Sequence, residues 1–251
     1  MTLISSSDRP PVVVTSDATQ SVANQHRQVW DLPVRVFHWS LVAAVVASYV
    51  TNKLGVGYFR YHVWCGYAVI VLVSFRLLWG LVGTRHARFW NFVCGPASTA
   101  RYALGWMRGE PQRYAGHNPL GALMVMALLL ALFAQACSGL FGNDEIVNVG
   151  PLYGYASNEL SLQLTSLHRQ LFNWILAAIV VHVLAVLVHR VAKRENLVSA
   201  MWTGRKPAHV VSIDESIASS RLGLALLLIL AISGALAWIV ANAPVADAQS
   251  F

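Results

Sequence analysis

Charged residues divide the chain into five long stretches that carry almost no charge of their own. The first is Val36–Asn52, between Arg35 and Lys53. The second opens at Tyr61, after Arg60, and runs to Gly83 with Arg76 as its single charge. The third is Tyr114–Asn143 and the fourth is Gln170–His189, between Arg169 and Arg190. The fifth is Leu222–Ala246, densest over Leu222–Val240. Each is close to the ~20 residues with which a helix crosses ~30 Å of hydrocarbon. None alternates at period two, which argues against a transmembrane barrel. With their flanks the predicted spans lie at about 35–53, 60–83, 117–141, 166–190 and 221–241. The fold class this predicts is an all-α integral membrane protein, a transmembrane bundle of five helices.

Composition agrees. Hydrophobic residues make up 56% and charged residues only 12% of 251 positions, with a mean hydropathy of +0.53. A soluble domain carries about 25% charge. Halving that leaves a soluble chain of this length without enough polar surface to wet.

The 18 Lys+Arg against 11 Asp+Glu are unevenly placed. With the N-terminus cytoplasmic, only Lys53, Arg60 and Arg169 fall outside, beside Asp144, Glu145 and Glu159, and the remaining bases collect inside. The positive-inside rule therefore puts the N-terminus in and the C-terminus out. It explains the basic excess without any nucleic acid. Residues 1–28 read as a flexible cytoplasmic tail, with no secretory signal pattern. Residues 29–206 read as a four-helix core, and 207–251 as a cytoplasmic linker, a fifth helix and a short periplasmic tail. That helix is apolar all round and is expected to pack peripherally, with Ser233 and Gly234 marking a close helix contact. Pro96–Arg108 reads as a short helix in the cytoplasmic interface, with Trp106 and Arg108 at headgroup level. Gly142–Leu160 is a periplasmic loop. Cys65, Cys94 and Cys137 are odd in number and far apart, against a disulfide framework, an iron–sulfur site or covalently attached haem.

The histidines carry the chemistry. Ionisable groups at membrane depth are costly and mark function. Given the topology, His38 lies on the cytoplasmic side of span 1, and His62 opens span 2 from outside. His168 begins span 4 from outside, and His182 follows 14 residues later, ~21 Å deeper. Fourteen steps of ~100° bring both rings within ~40° of one helix face. His62 then pairs with His168 in the outer half, and His38 with His182 in the inner half. A structural zinc site wants about four clustered ligands. A haem iron wants two axial ligands, and imidazole suits it. Two non-covalent haems b stacked through the bilayer are the physical reading. The plain alternative is a set of histidines that hydrogen-bond between helices. His189, two turns beyond His182 on a similar face, is the rival inner ligand. Haem propionates need cations, for which Arg76 and Arg35 are candidates inside and Arg60 and Arg169 outside. His117 and Asn118 can donate to a propionate or a quinone.

Six segments resemble the bacterial cytochrome b561 family, which includes the b-type cytochrome subunit of nickel–iron hydrogenases. They are VWDLPVRVFHWSL (Val29–Leu41), RYHVWCGY (Arg60–Tyr67), FRLLWGLVGTRHARF (Phe75–Phe89), GHNPLGALM (Gly116–Met124), LHRQLFN (Leu167–Asn173) and VAKRENLVSAMWTGRK (Val191–Lys206). The resemblance implies two haems held by His38, His62, His168 and His182. It also implies location in the bacterial inner membrane and electron exchange between quinone or quinol and a redox partner. That partner is expected outside, as a cytochrome c or a hydrogenase-like subunit, and the quinone inside near His117 and Asn118 or outside under the Gly142–Leu160 loop. A homodimer is compatible with the sequence. Two other functions stay open: a stand-alone oxidoreductase of the superoxide:quinone type, and a membrane anchor without redox role. No acid–base constellation for bond-making chemistry is visible.

Overall fold

The computed structural model describes residues 25–110 and 113–244. Helix α1, Leu32–Lys53, begins where the Asp31 carboxylate accepts the Val34 N–H at 2.7 Å. Pro33 stands in the first turn, where a missing N–H costs nothing. Gly55, at φ 97°, reverses the chain into α2, Phe59–Val82. A short helix, α3 (Pro96–Met107), precedes α4, Pro119–Leu140, which Asn118 caps by accepting the Gly121 N–H at 2.8 Å. Helix α5 spans Asn158–Ala192 and starts at a Ser157 cap. Helix α6, Leu197–Thr203, ends at Gly204 in the left-handed region, φ 81°. Helix α7 covers Leu222–Ala241.

Five of these helices, α1, α2, α4, α5 and α7, are long and apolar enough to cross a membrane. The protein is a multi-pass, all-α membrane bundle. Helix α2 is its centre, packing on α1, α4 and α7, with Val73, Phe75 and Trp79 fully buried. Helix α5 packs along α4 and touches α6, but has no comparable packing with α1 or α2. Side chains bridge that separation: Tyr49 stacks on Phe172 with centroids 5.7 Å apart, and His62 faces His168. Outward, α5 and α7 present Trp174, Leu230 and Trp238, as helices do where lipid is the solvent.

The amino-terminal side is tied down by polar contacts that hydrophobic patterning does not reveal. Asp31 is buried and also accepts from Trp79 Nε1 at 3.1 Å and from the Thr84 hydroxyl. One carboxylate thereby joins the start of α1 to the end of α2.

Four expectations need correction. Most of the expected flexible tail, residues 1–24, lies outside the described residues, but His26–Gln28 is not loose. It forms strand β1, paired antiparallel with β2, Arg205–Pro207, with Arg27 opposite Lys206. The pairing satisfies backbone groups next to a buried Lys206, whose amine meets Glu195 at 2.9 Å. The helix that carries the fourth span, expected at about 166–190, begins earlier than that span: α5 runs back through polar residues to Asn158, where Ser161 is buried and donates to the Phe141 carbonyl. The Gly142–Leu160 loop is correspondingly shorter and is organised by the bridge Asn143–Val149. Finally, Gly234 makes no close helix contact, since a Cβ placed there would meet nothing within 4 Å. Helix α7 instead enters the core through Ala225 and packs on α2.

Candidate functional site

His62 stands one turn into α2 and His168 three turns into α5. Their ring centroids are 6.2 Å apart and their planes lie at 83°. The Nδ1 of His62 sits 2.9 Å from the Ser48 carbonyl of α1, and that of His168 sits 2.8 Å from the Gln135 carbonyl of α4. Each Nδ1–H therefore donates to a helix carbonyl, which fixes the tautomer and leaves Nε2 with its lone pair. The arrangement occurs twice in the same form. Three residues beyond each carbonyl stands a hydroxyl: Ser138 donates back to Gln135 at 3.0 Å, and Thr51 donates chiefly to Ala47 at 2.7 Å while lying 3.1 Å from the Ser48 carbonyl. Gly139 makes room for the ring, because a Cβ there would come 2.8 Å from His168 Cε1.

These features fit a metal held between two imidazoles. A nitrogen–metal bond of ~2 Å on each side, plus the ~1 Å from nitrogen to ring centre, sums to ~6 Å between centroids. Gly66, one turn beyond His62, offers open space, with no atom within 4 Å of where its Cβ would be. Among the described residues no group of three or more His, Cys, Asp or Glu gathers as a metal cage would require. His62 and His168 could instead hold a haem iron between them.

The opposite end brings together His38, His182, His117 and Arg76. His38 and His182 interact electrostatically, and His117 does so with Arg76 and His182. The His117 ring lies between Trp30 and Phe92, with centroids 4.7 Å from each. Four buried polar atoms here have no hydrogen-bond partner among the described residues: His38 Nδ1, His117 Nδ1, Arg76 Nη1 and Trp39 Nε1. Leaving such groups unmet costs about 1–3 kcal/mol each. A ligand bearing oxygen acceptors, such as a carboxylate, would meet them.

The remaining sequence candidates divide. His189 is held at both nitrogens, with Nδ1 2.9 Å from its own helix carbonyl at Ala185 and Nε2 3.3 Å from Asn118 Nδ2. Its lone pair is engaged by the side chain that caps α4. Arg76 is buried beside the Phe89 ring, 5.1 Å away, and feels the charge of Asp31. Arg35 donates to the Trp202 carbonyl, while its Nε is buried without a partner. Arg60 lies over Tyr61 and Trp64 at 5.3 and 5.0 Å, and Arg169 is exposed beside His168. Patterning missed the Ser48 and Gln135 carbonyls and Gly139. Main-chain acceptors leave no residue signature, although a hydroxyl three residues after each was there to be read.

In the outer loop, Asp144 accepts from the N–H groups of Ile146, Val147 and Asn148 at 2.8–3.0 Å and from the Asn148 amide at 2.8 Å. Desolvation pushes its carboxyl up, but these donors together bring it down to about 2. On the other side of the bundle, burial pushes His86 down, against the hydrogen bond between its Nε2 and the Glu215 carbonyl at 2.8 Å.

The family model for prokaryotic cytochrome b561 matches residues 29–204. A probable Ni/Fe-hydrogenase B-type cytochrome subunit of Rhodobacter capsulatus is 28% identical over 236 aligned residues, covering 77% of this chain and 88% of the relative. Proteins of the same description from Rhizobium leguminosarum bv. viciae and Cupriavidus necator are 24% and 25% identical, covering 74% and 70% of this chain and 91% and 85% of theirs. No solved structure matches. With His62 facing His168 between two spanning helices, and a family match over most of its length, the chain belongs to the prokaryotic cytochrome b561 family of b-type, haem b cytochromes.

Proposed function

We propose that this protein is a di-haem cytochrome that carries electrons across the bacterial inner membrane between quinol and a redox partner. The observation that carries the reading is the facing of His62 and His168, each with Nδ1 on a helix carbonyl. In this reading His62 and His168 hold one haem b, and His38 and His182 hold the other. Haem iron supplies reversible one-electron chemistry. The protein's part is to orient four imidazoles, to keep water from them with α1, α2, α4 and α5, and to neutralise propionates. Arg76 and Arg35 serve the inner propionates; Arg60 and Arg169 serve the outer ones. The unpartnered Arg76 Nη1 supports the first assignment.

The charge distribution supports a cytoplasmic N-terminus and a periplasmic C-terminus. The partner then docks on the periplasmic side, at the Asn143–Ser157 loop and the Lys53–Arg60 turn. The hydrogenase subunits among the relatives favour a hydrogenase-like protein there. Quinone exchanges at the inner end, where His117, Asn118 and Arg76 offer polar groups at the hydrocarbon edge.

Quinol-driven haem reduction in reconstituted vesicles tests this. His117→Ala is expected to retain both haems and lose quinol reactivity. Full reactivity in that variant removes the inner quinone site. Reduction of the outer haem at the wild-type rate in His38→Ala, which lacks the inner haem, reverses the polarity.

A further inference from the structure

One face of helix α3, with Glu110 and Tyr114, lines an open cleft of about 480 Å³ that the redox reading does not use. Its lining includes Ser98, Arg101, Tyr102, Gly105, Arg108 and Tyr114. The first five fall on one face of α3, since residues spaced 3, 4 and 7 apart lie within a narrow arc of a 3.6-residue helix. Arg101 and Arg108 are two turns apart, ~10 Å along the axis, with the buried, side-chain-free Gly105 between them.

The cleft is cationic and its cations are uncommitted. Among the described residues neither the Arg101 nor the Arg108 guanidinium has a hydrogen-bond or ion-pair partner, and the one ion pair is Lys206–Glu195. That pair stands behind the cleft, where the Lys206 amine also donates to the Tyr114 carbonyl at 3.2 Å. A third cation, Lys193, donates to the Tyr102 hydroxyl at 3.5 Å and lies 5.7 Å over its ring. Burial pushes the Tyr102 hydroxyl up, so it stays an O–H donor. One acid, Glu110, sits at the rim.

The position is a membrane surface. Helix α3 connects the ends of two spanning helices, α2 and α4, and exposes Leu104, Trp106 and Met107, with Trp90 and Val93 just before it. An apolar edge beside two free guanidiniums at headgroup depth matches an amphiphilic anion.

We propose that this cleft binds a phosphate group, with Arg101 and Arg108 as its cationic clamp and the Ser98 and Tyr102 hydroxyls as further donors. Guanidiniums form bidentate charge-assisted bonds to phosphate oxygens. The phosphate comes from an anionic phospholipid headgroup or from free phosphate, and the test separates the two.

Full-length, haem-loaded protein is titrated with cardiolipin, phosphatidylcholine or inorganic phosphate, and bound lipid is read by native mass spectrometry. Cardiolipin is expected to bind in preference to phosphatidylcholine. The R101Q/R108Q variant, with an unchanged visible spectrum, is expected to bind it about thirtyfold more weakly, the factor two basic contacts carry at a membrane surface. Glu110→Gln is expected to bind it more tightly. Displacement of cardiolipin by millimolar inorganic phosphate assigns the cleft to free phosphate; retention assigns it to lipid. Equal binding by wild type and R101Q/R108Q overturns the proposal. If that variant does not fold, unchanged affinity in Glu110→Gln overturns it instead.

Discussion

The imidazole planes of His62 and His168 cross at 83°, each held there by a hydrogen bond from Nδ1 to a carbonyl of a different helix. The angle is set by the protein, because Ser48 on α1 and Gln135 on α4 approach from different sides. Were these two imidazoles to hold a haem iron at that angle, the iron d orbitals would be left nearly degenerate. The outer haem is therefore expected to give a highly anisotropic low-spin EPR signal, which disappears in His168→Ala. A rhombic signal typical of parallel rings would contradict this geometry.

Gly139 and Gly66 provide a paired test of the outer site. A methyl at Gly139 would lie 2.8 Å from the His168 ring, an overpacking that costs about 1–3 kcal/mol. Gly139→Ala is expected to lose or shift the outer haem, measured by redox titration, while the inner haem titrates as before. A methyl at Gly66 meets no protein atom within 4 Å. Gly66→Ala is expected to leave the fold intact, read by circular dichroism, and to weaken haem retention, since on the proposed reading the haem would occupy that open space. Normal haem content in Gly66→Ala would place the macrocycle elsewhere.

His182 and His189 are expected to separate cleanly. His182→Ala should remove one haem per chain. His189→Ala should keep both and slow quinol-driven reduction, because it releases the Asn118 side chain that caps α4. Losing an N-cap interaction typically costs ~1 kcal/mol, so His189→Ala should be at most mildly destabilised. Haem loss in His189→Ala would make it the inner ligand.

Much of this was legible in the sequence, and the exceptions share a cause. The five long apolar helices and the place of each histidine along its helix follow from apolar run lengths and the 1.5 Å helical rise. Both are local properties. The β1–β2 pairing joins residues nearly 180 positions apart through three-residue strands too short to show any period. The amino-terminal extension of α5 is polar, and it is helical because Ser157 caps it and Ser161 is buried against Phe141. Asp31 joins Trp79 and Thr84, 48 and 53 positions later, in one buried network that no local pattern announces. His189 shares the face of His182, and only Asn118, 71 residues earlier, distinguishes its role.

Asp144 gives a pH expectation. Its folded value of about 2 lies below the ~3.9 of an unfolded chain. The carboxylate's contribution is thus fully present above about pH 4 and is lost as pH falls through 2. Asp144→Ala is expected to remove protection from the amides of Ile146, Val147 and Asn148 in hydrogen exchange at neutral pH, with the haem spectrum unchanged. Unaltered exchange at those amides would show that the loop is held by other contacts.

Haem stoichiometry tests the central claim most directly. A pyridine haemochrome assay on purified full-length protein, with chain concentration from amino-acid analysis, is expected to give two non-covalent haems b per chain. It should give one in His62→Ala and one in His182→Ala. One haem or none in the wild-type protein would contradict the assignment of four histidines to two axial pairs.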